Sequence, residues 1–171
     1  MNIIRVLKKS IREYKRDSIL TPILVAFESL TECFLPLMVA NLVNQMQNGC
    51  DISVIVKFGI ILTVIACFSL LFGALAGIKA ANASAGFGKN LRKDLFVAVQ
   101  NFSFENIDRF SASSLVTRMT TDVTNVQMAY MMIIRTVVRA PLMLIFSLIM
   151  GFIMGGRLAL IFLFTIPVLG I

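Results

Sequence analysis

The stretch VIVKFGIILTVIACFSLLFGALAGI, residues 54–78, decides the fold of this chain. It is a largely apolar run of 25 residues whose one charged residue is Lys57, near its start. As a helix rising about 1.5 Å per residue it would measure about 37 Å. That length crosses a hydrocarbon core of about 30 Å with some tilt. The stretch therefore predicts a transmembrane helix.

The helical pattern does not end with this apolar run. From Lys79 to about Asn101 the sequence is polar but contains no proline, so the helix is expected to continue for roughly another 34 Å. Residues 113–139, which lead into the next apolar run at 137–154, also lack proline. Two membrane helices that extend into water and are joined by a short turn predict a cytoplasmic stalk. A stalk suggests mechanical contact with another component in the cytoplasm.

The composition places the whole chain in a membrane. Hydrophobic residues make up 58% of the sequence and charged residues 15%. Four apolar segments appear, at about residues 19–43, 54–78, 137–154 and 158–171. The last would measure about 21 Å as a helix, which is too short to cross a bilayer. We therefore expect a chain truncated within its fourth span.

The net charge of +7 is better explained by membrane orientation than by nucleic-acid binding. Most basic residues precede the first span or lie between the second and third spans, whereas the loop 44–53 has none. They are Arg5, Lys8, Lys9, Arg12, Lys15, Arg16, Lys79, Lys89, Arg92, Lys93, Arg109, Arg118, Arg135 and Arg139. This bias predicts a multi-pass protein of the plasma membrane, of bacterial inner-membrane type, with a cytoplasmic N-terminus. The lipid bilayer is then a partner, and no nucleic acid is expected.

Residues 1–16 predict an amphipathic helix in the inner headgroup layer, although a simple positive flank of the first span is the alternative. The apolar side chains of this helix recur at helical spacing: Ile3, Ile4, Leu7, Ile11 and Tyr14. The expected elements are this elbow helix at 1–16, span 1 at about 18–44, span 2 at about 53–101, a cytoplasmic turn at about 102–112, span 3 at about 113–154, and the start of span 4 at 158–171.

Two acidic residues of the first span are candidate site residues. Glu28 and Glu32 are four positions apart and therefore share one face of a helix. Carboxylates at membrane depth are costly and usually face a bundle interior or a watery cavity. We favour a pair that lines a translocation path and attracts cationic substrates. Interhelical hydrogen bonding is the alternative.

The sequence contains no catalytic or metal-binding constellation. Histidine is absent, and Cys33, Cys50 and Cys67 form no CxxC pair, so zinc has no ligand set here. There is also no GxxxxGK[ST] phosphate loop, so this stretch is expected to hold no cofactor and to have no ATPase motif of its own. Enzymatic activity of the intact protein is left open by these observations.

The turn between the stalk helices carries large apolar side chains in a cytoplasmic position. Phe102, Phe104, Ile107 and Phe110 lie within about ten residues. Exposed apolar groups of this kind usually need a partner, which favours docking to another component. Packing of the rings back onto the stalk is the alternative.

Two stretches around this turn resemble a known protein family. Phe104-Glu-Asn-Ile-Asp-Arg-Phe110 and the segment from Leu115 to Val126 resemble the first intracellular loop of ATP-binding-cassette (ABC) exporters of the type I class. The family pattern there is Leu-x-x-Arg-x-x-x-Asp-x-x-x-Val/Ile. The residues that fit it are Leu115, Arg118, Asp122 and Val126, while Ser113 and Ser114 stand where a glycine is usual.

The resemblance covers essentially the whole chain and implies an all-α membrane protein. Its fold would be the ABC exporter transmembrane domain, with the elbow helix, three spans, a coupling helix at 102–112 and part of a fourth span. Long transmembrane helices would extend into the cytoplasm as the stalk. In the family the coupling helix contacts a nucleotide-binding domain, here implied for Phe104, Asp108, Arg109 and Phe110. Leu115, Arg118 and Asp122 would form the stalk motif.

The function implied by the resemblance is that of a permease in an ATP-driven exporter. The nucleotide-binding domain would lie downstream or on a partner half, and the intact transporter would use ATP and Mg. A second half-transporter would complete a homo- or heterodimer that works by alternating access. The alternatives from the residues alone are a nonenzymatic multi-span scaffold or accessory protein, and a channel-like oligomer that uses the face of Glu28 and Glu32.

Overall fold

The computed structural model describes residues 10–49, 51–101 and 112–155. A 3-10 helix at Arg12–Tyr14 leads into helix α1, Lys15–Gln47, and a short loop leads to helix α2, Ile52–Gln100. Helix α1 ends where Gly49 adopts a φ of 76°, a left-handed conformation that glycine adopts without steric cost.

The third helical segment runs from residue 112 to residue 155 and contains two π-helical stretches. Its parts are α3 at Ala112–Thr117, a π stretch at Arg118–Asp122, α4 at Val123–Met132, a π stretch at Ile133–Val137, and α5 at Val138–Gly155. The described residues contain no strand, so the predicted all-α fold is confirmed over this part of the chain.

Three helices in the described ranges are long and apolar enough to cross a membrane: Arg12–Gln47, Ile52–Gln100 and Ser113–Ile153. In the last two, none of the most apolar window is buried within the chain, as expected for side chains that face lipid. The protein is therefore a multi-pass membrane protein. Residues 102–111 of the predicted turn and the predicted fourth span at 158–171 lie outside the described residues, as do residues 1–9 of the predicted elbow helix.

The chain divides into two compact units. The first, which we call the charged unit, consists of Met1–Pro22 and Ala76–Thr136. The second, which we call the apolar unit, consists of Ile23–Leu75 and Val137–Ile171. Helix α2 contributes residues 52–75 to the apolar unit and residues 76–100 to the charged unit.

Within the charged unit, α2 buries a face that is rich in small residues. Its buried residues are Ala76, Ala80, Ala83, Ser84, Gly86, Phe87, Gly88, Asn90 and Leu91. Ala80 and Ala83 pack with Ile134 of the third helical segment. Phe87 stacks on Tyr130, with ring centroids 4.6 Å apart. The small side chains allow the helices of this unit to approach closely.

Glycine is required at one position of this face. A Cβ atom at Gly86 would overlap the ring of Tyr14, which belongs to the 3-10 helix at Arg12–Tyr14. The segment before α1 therefore packs directly on the α2 backbone.

Polar contacts fix the same N-terminal segment to α2. Arg12 Nη2 donates to Asp94 Oδ1 at 2.6 Å, and Ser10 Oγ donates to Asp94 Oδ2 at 3.1 Å. Asn90 Nδ2 donates to the carbonyl oxygen of the buried Ser10 at 3.0 Å. Arg12 has a φ of 36°, a left-handed conformation that costs about 1–3 kcal/mol in a residue other than glycine. The contacts of Asp94 hold that conformation in place.

Two further contacts within the charged unit involve the first turns of α1. Lys79 Nζ donates to Asp17 Oδ1 at 2.9 Å. The hydroxyl of Tyr130 donates to Ser18 Oγ at 2.7 Å. Residues 10–18 are thus held by α2 and by α4, rather than standing apart as a charged tail.

Replacing Gly86 with alanine tests the close packing of Tyr14 on α2. The added methyl group overlaps the Tyr14 ring, so we expect Gly86→Ala to destabilise the intact protein by about 1–3 kcal/mol. The measurement is the thermal unfolding midpoint of the purified protein in detergent. Gly59→Ala is the matched control, because Gly59 lies on the same helix with nothing within 4 Å of its Cβ position. Equal changes in the two variants would show that Tyr14 does not pack against Gly86.

Candidate functional site

A cluster of three ionisable side chains lies within the apolar unit. Glu28 and Glu32 project from α1, and Arg139 projects from the first turn of α5. Arg139 Nη1 donates to Glu28 Oε1 at 2.8 Å, and Nη2 donates to the two carboxylate oxygens of Glu32 at 2.8 and 2.7 Å. One guanidinium thus bridges two carboxylates that stand one turn apart.

The three side chains differ in their exposure. The side chain of Glu28 is 8% exposed, whereas those of Glu32 and Arg139 are 29% and 32% exposed. The cluster is therefore closed at Glu28 and open at Glu32 and Arg139. With both carboxylates ionised, the cluster carries one negative charge in excess.

Two buried polar atoms beside the cluster lack a partner among the described residues. They are Glu28 Oε2 and the hydroxyl oxygen of Ser29. Ser29 is fully buried. A buried carboxylate oxygen without a donor is energetically costly.

The second helix supplies one of these contacts. A Cβ atom at Gly73 of α2 would lie 2.8 Å from Glu28 Oε1, so the carboxylate occupies the space that a side chain would need. Next to these residues in sequence, the rings of Phe27 and Phe72 stack with centroids 5.5 Å apart. Residues that are adjacent in a helix do not share a face, so these rings lie on a different face of each helix from Glu28 and Gly73.

The backbone around Arg139 is irregular. The π stretch Ile133–Val137 ends immediately before α5, and Pro141 follows within its first turn. Proline has no N–H to donate to the carbonyl four residues earlier, which here belongs to Val137. Such π stretches often occur at functional sites.

The other predicted site residues lie partly within and partly outside the described part of the chain. Leu115 is partly buried in α3, and Arg118 and Asp122 are exposed at the two ends of the first π stretch. The predicted coupling residues lie outside the described residues: Phe104, Asp108, Arg109 and Phe110. Their role stays a prediction.

The structure identifies Arg139 as a site residue that the sequence analysis treated only as part of the positive flank. One signal was available, because Arg139 lies inside the apolar run 137–154. A cation at that depth calls for a partner, and Glu28 and Glu32 were the acidic residues at comparable depth. The pairing corresponds to the interhelical alternative, while the role of the two carboxylates in a translocation path stays a prediction.

A second candidate site lies in the charged unit. An open cavity of about 370 Å³ is lined by Arg92, Thr120, Thr121, Thr124 and Asn125. Arg92 Nη2 donates to Thr124 Oγ1 at 3.0 Å, so the only cationic group of this lining already has an acceptor. The cavity has hydroxyl and amide groups but no acidic residue or general base, and it suggests no chemistry.

Comparison with known proteins identifies the family. The profile of the ABC transporter transmembrane region matches residues 18–171. The chain belongs to this family. The resemblance to ABC transporters seen in the intracellular loop is thereby confirmed, and the three apolar helices are spans of an ABC transporter membrane domain.

Relatives of this ABC transporter chain include proteins of Bacillus subtilis and Mycobacterium tuberculosis. It is 33% identical over 147 residues to an uncharacterized ABC transporter ATP-binding protein, YfiB, of Bacillus subtilis (strain 168). That alignment covers 86% of this chain and 26% of the relative. The chain is 27% identical over 169 residues to the similarly named MT1311 of Mycobacterium tuberculosis (strain CDC 1551 / Oshkosh), covering 99% of this chain and 29% of that protein. The chain thus spans less than a third of the length of these relatives.

A double-mutant cycle tests the ion-pair cluster. Arg139→Met leaves two carboxylates without a counter-charge, so we expect a clear loss of stability in the intact protein. Adding Glu28→Gln removes one of those charges, and the double variant should be more stable than the sum of the single effects by about 0.5–3 kcal/mol. The measurement is thermal unfolding of the purified protein.

The control cycle combines Arg139→Met with Glu13→Gln, since Glu13 is an exposed carboxylate of the charged unit. That pair should be additive. Additivity in the Glu28 cycle as well would mean that Arg139 does not stabilise Glu28.

Proposed function

We propose that this chain is the N-terminal part of the permease of an ATP-driven exporter. It moves a substrate across the membrane by alternating access, coupled to a nucleotide-binding domain that lies outside this stretch. Membership of the ABC transporter transmembrane family supports the transport role. The relatives are named ATP-binding proteins and are more than three times as long as the aligned part, which supports a nucleotide-binding domain in the same polypeptide.

The observation that carries the proposal is the length of α2. At 49 residues it measures about 74 Å, more than twice the thickness of a hydrocarbon core of about 30 Å. Its residues 76–100 belong to a unit with its own core and ion pairs. A helix that crosses the membrane and continues into such a unit can carry a movement from a cytoplasmic partner to the membrane.

The partner in this proposal is the nucleotide-binding domain. Phe104, Asp108, Arg109 and Phe110 of the turn at 102–112 contact it, and it binds ATP and Mg. Closure of two such domains, one for each half of a homo- or heterodimer, moves the stalks. Basic residues are concentrated before span 1 and between spans 2 and 3. This distribution supports a cytoplasmic location for the turn and for the N-terminus, in a plasma membrane of the bacterial inner-membrane type.

Glu28 and Glu32 line the translocation path in this proposal. Two observations support it. Both carboxylates belong to a cluster that is open at Glu32, and the cluster contains two acidic residues for one basic residue. Intramembrane ionisable residues are otherwise rare and usually mark a substrate or ion pathway.

Cysteine labelling tests the orientation. In a variant of the full-length transporter that retains only Cys50, a membrane-impermeant thiol reagent should label intact cells, because the loop 44–53 is external. A cysteine introduced by Ser103→Cys in the same background without Cys50 should be labelled only after the cells are opened. The opposite labelling pattern would overturn both the orientation and the coupling role of the turn.

Alanine substitution in the turn tests coupling. In the full-length transporter, we expect Phe110→Ala or Asp108→Ala to reduce ATP-dependent uptake into inside-out vesicles by at least about tenfold, a barrier change of about 1.4 kcal/mol. ATP hydrolysis should continue, since the ATPase residues are untouched. The uptake probes are fluorescent amphiphiles that are cationic, neutral or anionic.

The control is Phe96→Ala, which removes an aromatic ring that is 51% exposed on α2 outside the turn. Uptake should persist in this control. Normal uptake in all three variants would mean that the turn only closes the stalk and does not couple to ATP hydrolysis.

A further inference from the structure

Arg139 satisfies the carboxylates of α1 incompletely. Its two terminal nitrogens donate to Glu28 Oε1 and to both oxygens of Glu32. Glu28 Oε2 is buried and has no donor in the described part of the chain. Of four carboxylate oxygens on one helix face, three are therefore bound and one is left. With both carboxylates ionised, one positive charge also faces two negative ones.

A second N–H donor that carries a positive charge would pair with the unmatched oxygen. The same group would also balance the excess negative charge. Metal ions are a poor match, because a guanidinium already holds these oxygens with the geometry of N–H donation, at 2.7–2.8 Å. The oxygens are arranged for a planar or tetrahedral nitrogen cation.

Arg139 and Glu32 are the accessible parts of the cluster. Their side chains are 32% and 29% exposed, whereas that of Glu28 is 8% exposed. A ligand that approaches from the open side meets the guanidinium and the Glu32 carboxylate. If Arg139 withdraws, it vacates a space that already has the shape of a guanidinium, so no additional cavity is needed.

The surroundings favour an amphiphilic ligand. Glu28, Glu32 and Arg139 lie in helices that are long and apolar enough to cross a membrane. In such surroundings an apolar tail is accommodated readily, whereas a charged group needs a partner. A cationic head group with an apolar tail matches this combination.

We propose that Glu28 and Glu32 form a binding site for the guanidinium or primary ammonium head group of an amphiphile, and that Arg139 is a tethered occupant which this ligand displaces. Arg139 is restrained by its backbone and reaches three oxygens. A free head group has no such restraint and can also donate to Glu28 Oε2. The interpretation of this site as a substrate site rests on the proposed transport function. Binding of the ligand does not depend on that function.

The test is binding of decylguanidinium to the full-length transporter in phosphatidylcholine nanodiscs, measured by isothermal titration calorimetry. Empty nanodiscs provide the correction for partition into lipid. We expect saturable binding to the wild-type protein and at least tenfold tighter binding to Arg139→Ala, because the internal competitor is gone. Glu28→Gln should bind at least tenfold more weakly, because it loses a charged acceptor.

Two controls separate this site from general attraction of cations. Decyltrimethylammonium has the same charge and chain but no N–H donor, so Arg139→Ala and Glu28→Gln should change its affinity much less than that of decylguanidinium. Glu13→Gln removes an exposed carboxylate of the charged unit and should leave decylguanidinium binding unchanged.

The outcomes are distinct. Equal decylguanidinium affinity in the wild type, Arg139→Ala and Glu28→Gln overturns the proposal, and so does the absence of saturable binding. If Arg139→Ala does not fold, the comparison of Glu28→Gln with the wild type still tests the proposal, since that substitution preserves the shape of the side chain. ATP hydrolysis is measured in the same nanodiscs. Binding as expected without ATP hydrolysis would contradict the exporter function and leave the binding site standing.

Discussion

The need to pair charge inside an apolar environment is the constraint on which the membrane part of this chain depends. Lipid tails are as apolar as leucine, so burial of apolar side chains hardly distinguishes one alignment of two membrane helices from another. The three hydrogen bonds from Arg139 to Glu28 and Glu32 do distinguish them. A shift of α5 by one turn along α1 would leave ions unpaired, at a cost of several kcal/mol per ion. The cluster therefore sets the register of these two helices.

The charged unit is held together by different forces. Its core is small, and much of its contact area comes from alanine and glycine positions on α2. Close approach there replaces the volume of large side chains, and the stacked pair Phe87 and Tyr130 fills the centre. The ion pairs of Arg12 and Lys79 are at least one-third exposed on the cationic side, so they orient the N-terminal segment more than they stabilise it.

In the proposed exporter, these two kinds of packing would suit different parts of the transport cycle. A partly exposed ion pair can exchange its partner for another cation, because solvent or a ligand can replace each hydrogen bond as it breaks. In a closely packed face of small residues, one contact cannot be exchanged for another in this way, so the face moves as a rigid body. The site that changes partners and the segment that transmits movement would then be built from different interactions on the same long helices.

The sequence alone was sufficient for the fold class and for the family. Apolar runs, absence of proline and the distribution of basic residues are local properties, and they predicted the long helices, including α2. The intracellular-loop pattern from Leu115 to Val126 was specific enough to indicate ABC transporters, and the family match confirms it. No sequence pattern indicated the two π stretches, because they depend on how the backbone packs against neighbouring helices.

The sequence also identified Glu28 and Glu32 as special, since a carboxylate in an apolar run needs a reason. It did not identify what faces them. Arg139 is separated from Glu28 by 111 positions and from Glu32 by 107. Hydropathy and periodicity report which face of a helix is polar, but the partner of that face is set by the rotation and register of a second helix. Only the tertiary structure decides which nitrogen meets which oxygen, and which oxygen is left without one.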